Sequence, residues 1–471
     1  MSLHPHRSVP RAARALVVLA APLVGHNLAI VATNTADTVM AGRLSATDLA
    51  AVALGSALWM TVMLLGMGIL MAVSPLVANA YGGERHRDVT RITRQALWLA
   101  LGLGLILALV VRNLRPVVGW IGVDPEIVPL VDGYLHGLSW GAPGLYLYLV
   151  LRFMSEGTGF MRSILLVASL GALANVPLNY LFMYGAFGLP GLGAVGCGWA
   201  TTLVHWLMLG AMLIYVSRHR HFAPFELWQD LELPDWQRLR ALIGLGLPIG
   251  TSLLLEVGLF SAAAMMMGHL GTEILAAHQI ALNVASILFM VPLGLAFAIT
   301  VQVGQAQGRG DPELARFLGW VGIGMTACLM LMMAIATVLL APRIVAIYSG
   351  DPAVAGLAIS LLYLAAVFQL SDGLQATAAG ALRGLQDTAW PMAISLIAYW
   401  VVGAPISWLM GVHLRLGPHM VWVGLVAGLT VAAVLLNLRY HRVSARHRED
   451  PSDPGAPGTG RPAESSAAIP G

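Results

Sequence analysis

Three carboxylates stand where an apolar chain has little reason to place them. Glu256 falls inside the run ALIGLGLPIGTSLLLEVGLFSAAAMMM (241–267), Asp37 inside a run that begins near residue 14, and Asp372 inside FQLSDGLQATAAG (368–380). Each run can cross a bilayer as a helix, for which about 20 apolar residues suffice. A carboxylate at mid-membrane costs about 2.5–3.5 kcal/mol on insertion scales, so such a residue faces an interior and usually serves function. A purely structural acid is expected to mate with arginine. The sequence places no arginine at comparable depth, so the expected partner is a mobile cation: a proton, a metal ion or a cationic substrate. Glu256 and Asp372 are expected to form one cation-responsive site, because low dielectric and a neighbouring carboxylate both favour the protonated form of an acid.

Other polar side chains fall near these acids. Asn34 and Thr33 lie one turn before Asp37, and His26 lies further back on its face. Asn175 and Asn179 flank Pro177, and the next segment carries Thr201, Thr202 and His205. In the second half Gln375 is one turn from Asp372, while Gln279, Asn283 and Ser286 share a face. Asn34, Asn175, Asn179, Thr202, Gln279, Asn283, Phe368 and Gln375 are therefore candidate cavity-lining residues. Asn and Thr also simply join membrane helices, at about 0.6 kcal/mol per hydrogen bond. His26 and His205 are expected to be structural, and Asp132 interfacial.

The elements that must hold these groups are membrane helices. Of 471 residues 58% are hydrophobic and 10% charged, a polytopic membrane composition. Twelve apolar segments are expected: 14–40, 47–79, 93–111, 125–150, 160–185, 191–216, 241–267, 275–303, 317–341, 352–377, 388–411 and 418–438. The basic start followed by an apolar run imitates a signal peptide, but the run continues to Met40 and its sequence recurs later. With the N-terminus inside, 21 arginines fall on the inner side and 5 on the outer, which puts both ends in the cytoplasm. Residues 217–240 form the longest connection and are expected to hold an amphipathic interfacial helix. The Pro-, Gly- and Ser-rich end is expected to be disordered. The expected domains are an N-terminal lobe (1–222), a C-terminal lobe (223–440) and a cytoplasmic tail (441–471).

The two halves repeat. Pro22 and Pro248, Gly42 and Gly268, and Gly82 and Gly308 each lie 226 residues apart; Gly157 and Gly384 lie 227 apart, and Pro177 and Pro405 lie 228 apart. MAGRLSATDLAAVALG also echoes MMGHLGTEILAAHQIALN. A near-constant offset over turn and kink residues is a repeat signal. Six helices return the chain to one side, so the repeats are parallel, related by an axis along the membrane normal. The acids break the symmetry: Glu256 maps to Ile30, and Asp37 to Ala263.

Composition excludes several chemistries. All 26 basic residues are arginine, so neither a phosphate-loop lysine nor a Schiff-base lysine exists. Two cysteines, Cys197 and Cys328, do not make a disulfide framework or a zinc site. There is no HExxH motif, and a Ser–Lys pair is impossible.

NTADTVMAGR in the first helix, LGLPIGTSLLLEVGLF at the opening of the second half and SDGLQATAAGALRGLQDT in the tenth helix together resemble the multidrug and toxic compound extrusion family, in its NorM-like bacterial branch. The resemblance covers about residues 10–440. It implies an all-α membrane protein: twelve transmembrane helices in two six-helix lobes, V-shaped around a central cleft that opens alternately to either side. It implies efflux of organic cations and other drugs in exchange for protons or sodium ions, with Asp37, Glu256 and Asp372 as the coupling acids. Asn175 and Asn179 match polar positions used in relatives. Some relatives carry a tyrosine one turn before the helix-ten acid, near a proposed sodium site; here that residue is Phe368, which brings no oxygen. Hard cations want several oxygen ligands, so protons are favoured over sodium at Glu256 and Asp372. No cofactor and no nucleic-acid partner are expected, and the chain is expected to be a monomer in a bacterial inner membrane. A lipid-linked sugar flippase is the nearest alternative, but it wants basic residues in its cavity. An intramembrane enzyme with an aspartyl-type dyad is the other alternative.

Overall fold

The computed structural model describes residues 8–449 except 121, 123, 187, 189, 230 and 231, and no side chain beyond residue 446. Among the described residues there is no β-strand. Twelve helical spans run in sequence order: α1 (Val9–Leu44), α2 (Ala46–Gly82), α3 (His86–Arg112), α4 (Val128–Ser139 and Ala142–Gly157), α5 (Arg162–Gly185), α6 (Ala194–Arg218), α7 (Trp236–Leu270), α8 (Thr272–Gly308), α9 (Pro312–Tyr348), α10 (Pro352–Gly384), α11 (Ala389–His413) and α12 (Pro418–Glu449). Eleven of them are long and apolar enough to span a bilayer, α2 with a turn at Met71–Ala72. The span α4 breaks at Trp140–Gly141, where Gly141 packs against Thr202 and His205 of α6.

Side-chain caps set several starts. Ser45 accepts from the Asp48 amide to open α2, and Asp235, Asp311 and Asp351 do the same at α7, α9 and α10. Asp48 also accepts from the Ala194 amide at 2.7 Å and so ties the start of α2 to that of α6. Stretches of π-helix follow the kink residues Pro177 (Tyr180–Gly185) and Pro405 (Ser407–His413), at matching places in the repeat.

An even number of spans puts both chain ends at one end of the bundle, termed inner. The lobes meet there. Helix α1 packs on α8 and touches α9; its repeat mate α7 packs on α2 and touches α3. The exchange holds atom by atom. A Cβ on Gly82 would come within 2.1 Å of the Gln305 carbonyl oxygen, and one on Gly308 within 1.9 Å of the Asn79 oxygen; both pairs are equivalent at the 226 offset. Gly68 and Gly250 bring α2 and α7 equally close. Bare backbone is what lets the lobes seal. Outward of this seam the cores separate: one cluster holds first-half residues such as Trp59 and Tyr134, another holds second-half residues such as Leu259 and Trp422. Among the described residues, the close backbone approaches between the lobes lie toward the inner end.

Two sequence expectations fail here. Among its described residues the 217–240 connection holds no amphipathic helix. There the short 3-10 turn Ala223–Phe225 forms before α7 begins at Trp236. The segment is instead a strap along α3. Arg94 donates to the Leu227 and Glu226 carbonyl oxygens, Trp98 to Glu232, and Thr90 to Phe225. Gln95 donates to the Leu233 oxygen and accepts from the Asp235 amide. These side chains satisfy strap backbone that helix hydrogen bonds would otherwise have to satisfy. Phe160 stacks with His221 at 4.7 Å and lies 4.6 Å from His219. Burial holds the His221 imidazole below its ordinary value, and the neighbouring His219 adds to the shift. The second failure is the tail: residues 441–449 continue α12, and only 450–471 lie outside the described residues.

Candidate functional site

In the first lobe, α1 carries Asp37 against α5. The Asp37 side chain is 8% exposed. Its Oδ1 accepts from Asn175 at 3.0 Å and from Asn179, and Asn179 also donates to the Asn175 side-chain oxygen at 3.2 Å. The Cys197 thiol of α6 faces the same carboxylate. The four-residue spacing of the two asparagines puts both on one face of α5, and Pro177 between them points elsewhere. The acid thus has amide donors and no cationic partner among its contacts, an arrangement that can hold or release a proton or small cation.

The other first-half candidates do not join it. Asn34 is exposed, and its backbone oxygen accepts from Thr38. Thr202 is buried but donates to the Gly137 oxygen at 2.7 Å, bracing the break in α4. His205 is half-buried and stacks on Trp59, ring centroids 6.2 Å apart.

In the second lobe, Asp372 is buried on α10, and Glu256 is half-buried on α7 within electrostatic reach of it. Phe260, one turn outward of Glu256, meets Phe368, one turn outward of Asp372, edge to face at 5.8 Å. Phe368 also packs on Trp422, and the Trp422 indole donates to His278. Phe368 therefore does not line an open cavity. It is part of an aromatic layer on the outer side of the acid pair. Below that layer Asp372 Oδ1, Gln375 Oε1 and both polar atoms of Gln369 have no hydrogen-bond partner. Buried polar atoms are normally satisfied, so this concentration marks a place built for something polar to enter. Gln279 and Asn283 stay outside it; both are exposed, and Asn283 accepts from Tyr348 at 2.9 Å. Asp132 lies at the surface, 3.9 Å from Arg115.

Two arginines are nevertheless buried near the inner ends of their helices. Arg152 on α4 and Arg383 on α10 are 5% and 9% exposed, and Glu156, which the sequence did not single out, is wholly buried. Arg152 pairs with Glu156 at 3.9 Å, and Ser74 donates to Glu156 at 2.8 Å. Arg383 lies within electrostatic reach of both Glu156 and Glu256. Glu256 therefore has a fixed cation nearby; Asp37 does not. Arg152 and Arg383 sit in the last two turns of their helices, where sequence alone does not separate helix end from loop, and the α8 surface that buries them belongs partly to the other lobe. The signal that was available is the matching turn before Gly157 and Gly384.

The MatE family model matches the chain twice, over residues 22–181 and 248–409. The chain belongs to the MatE family. The two matches start 226 residues apart and end 228 apart, the same offsets as the kink prolines. The Multidrug resistance protein MdtK of Yersinia enterocolitica is 39% identical over 432 residues, covering 91% of this chain and 94% of that protein; MdtK of Yersinia pseudotuberculosis matches equally. Among solved structures, a MATE in complex with MaL6 superposes with a TM-score of 0.85 at 21% identity, covering 93% of this chain and 98% of that one. The eukaryotic MATE transporter AtDTX14 superposes at 0.83 and 18% identity, covering 94% and 99%. These likenesses share one fold: twelve helices in two lobes. The family consists of transporters, not enzymes, so the aspartyl-dyad alternative falls away.

Proposed function

We propose that the protein exports cationic and amphipathic drugs across a bacterial inner membrane by secondary antiport. The observation that carries this reading is an acid site in each lobe, with buried Asp37 in one and buried Asp372 beside half-buried Glu256 in the other. The name borne by the 39%-identical relatives supports drugs as the substrates. The arginine distribution supports a cytoplasmic inner end.

The coupling ion we assign is the proton. Phe368 is spent on the aromatic layer and offers no oxygen, while two acids in a low-dielectric pocket suit proton exchange. A cationic drug and the proton then compete for the same negative charge, which is the condition for antiport. Sodium is the alternative cargo; Asp372 and Gln375 supply oxygens for it. The buried arginines lie in the inner seam rather than in the cleft, so they do not favour a pyrophosphate-carrying lipid. The test is dye binding by calorimetry in buffers of different ionisation enthalpy. Proton coupling predicts a buffer-dependent heat that Glu256→Gln and Asp372→Asn remove. Buffer-independent heat with displacement by sodium at fixed ionic strength would assign sodium instead.

A further inference from the structure

The flank of the second lobe carries a groove that the first lobe has filled. It measures about 650 Å3 and is lined by α9, α10 and α12. Among the described residues none from the seam helices α1, α2, α7 or α8 lines it, so it opens to the perimeter. Its floor is Ser371 and Leu374 of α10, and one wall is the α12 face Thr430, Val434 and Leu438. The Ser371 and Thr430 hydroxyls bond to each other at 2.8 Å. Trp320 of α9 and His441 of α12 form the inner rim, edge to face with ring centroids 6.2 Å apart.

The repeat explains the space. The α5–α6 connection has eight residues (186–193) and its mate α11–α12 has four (414–417), so the offset falls from 228 to 224 across it. Thr430 is then the mate of Trp206, as Ser371 is of Gly144 at the 227 offset. In the first lobe the Trp206 indole lies on bare Gly144, where a Cβ would come within 3.1 Å of the ring. The second lobe keeps the contact but makes it from two small hydroxyl side chains. The volume that the indole takes in one lobe becomes groove in the other.

Length and charge indicate what fits. Thr430 to His441 is eleven residues, about 16 Å of helix. That is about half of a hydrocarbon core about 30 Å thick, the depth of one leaflet. The walls are apolar up to the Trp320–His441 rim, and aromatic side chains favour the level of the head groups. Beyond the rim the surface turns basic. Arg442 lies one turn past Leu438 and Arg446 one turn further, both exposed, and Arg316 lies one turn before Trp320. None of these three makes an ion pair among the described residues. Two acids at this end are engaged elsewhere: Asp311 caps α9, and Asp387 holds Arg439 at 2.8 Å. Basic pockets between membrane helices suit anionic head groups.

We propose that this groove binds one anionic phospholipid of the leaflet at the inner end. An acyl chain runs from the Trp320–His441 rim to the Ser371–Thr430 pair, and Arg316 and Arg442 hold the phosphate. The chain then lies against α10 one residue from Asp372. A second copy of the protein is a poorer occupant, because a symmetric contact would set the basic rim against itself.

The test is native mass spectrometry of the full-length protein in detergent, titrated with dioleoyl phosphatidylglycerol or, separately, dioleoyl phosphatidylcholine. The parent should retain one phosphatidylglycerol at least about tenfold more tightly than phosphatidylcholine. The double variant Ser371→Gly, Thr430→Trp restores the first-lobe filling and should weaken phosphatidylglycerol retention about tenfold. Val434→Trp, at an exposed wall position, should act the same way without disturbing the hydroxyl pair, which covers a double variant that fails to fold. A parent-like melting temperature identifies the folded variants. Arg316→Gln with Arg442→Gln should abolish the preference and leave phosphatidylcholine retention unchanged. Equal retention of the two lipids by the parent overturns the site. So does parent-like phosphatidylglycerol retention in a folded filled variant, or a preference that survives loss of both arginines. A dimeric parent that becomes monomeric with Val434→Trp would put a second copy in the groove and overturn it too. Lipid retention is read without transport, so its outcome is separate from that of the efflux reading.

Discussion

Gly246→Ala tests the inner seam with its own control two residues away. A Cβ on Gly246 would lie 2.1 Å from the Ile69 carbonyl oxygen of α2, whereas a Cβ on Gly244 would meet nothing within 4 Å. Both substitutions gain helix propensity, up to about 1 kcal/mol. At Gly246 the gain is outweighed. Going from 2.1 Å to 3.4 Å, the near edge of ordinary contact, needs a movement of about 1.3 Å between two helices. Overpacking of that kind costs about 1–3 kcal/mol. The propensity gain is common to both conformers, so the closed-to-open ratio should move by the overpacking penalty of the close approach. A shift of about 1–2 kcal/mol changes that ratio about 5- to 30-fold. Distance measurement between labels at Arg162→Cys and Ala389→Cys reads that ratio directly, with thermal melting as a check. Gly244→Ala should match or exceed the parent in both. A Gly246→Ala protein that behaves like Gly244→Ala would refute the seam as the place where the lobes close.

The remaining predictions concern the acids and the strap. Asp37→Asn should fold normally, because an amide oxygen still accepts from Asn175 and Asn179, yet dye efflux should fall more than about tenfold in reconstituted vesicles. Glu256→Gln and Asp372→Asn should each lose cationic-dye binding as well as efflux, measured by fluorescence polarisation; wild-type dye affinity in both would remove the acid pair from the substrate path. Arg94→Ala deletes two hydrogen bonds and an ion pair to Glu232 at 3.6 Å that fasten the strap to α3. At about 1 kcal/mol net per hydrogen bond, limited proteolysis within 219–235 should speed up at least tenfold, with the helices left intact.

The repeat was legible because it is written in residues whose backbone role survives divergence. Pro22, Pro248, Gly82 and Gly308 keep their offset because kinks and close approaches tolerate few substitutes. Asp37 was legible for a different reason: one charge in an apolar run has few physical explanations, and Asn175 and Asn179 share a helix face by spacing alone. What stayed hidden depends on contacts between distant segments. Thr202 turns to Gly137 because α4 breaks beside it, and no local pattern announced that break. Phe368 stacks on Phe260 from another helix. Arg152 and Arg383 look like loop charges until α8 covers them. The strap has the composition of an interfacial helix, and only the polar side chains of α3 decide against one.

Efflux driven by one imposed gradient at a time tests the central claim most directly. The purified protein is placed in vesicles loaded with a cationic dye, and a proton or a sodium gradient is applied without nucleotide. Dye extrusion that follows the proton gradient, persists without sodium, and disappears in Asp37→Asn and in the Glu256→Gln, Asp372→Asn double variant is the predicted result. Extrusion that ignores both gradients, or survives the loss of all three acids, would contradict the account.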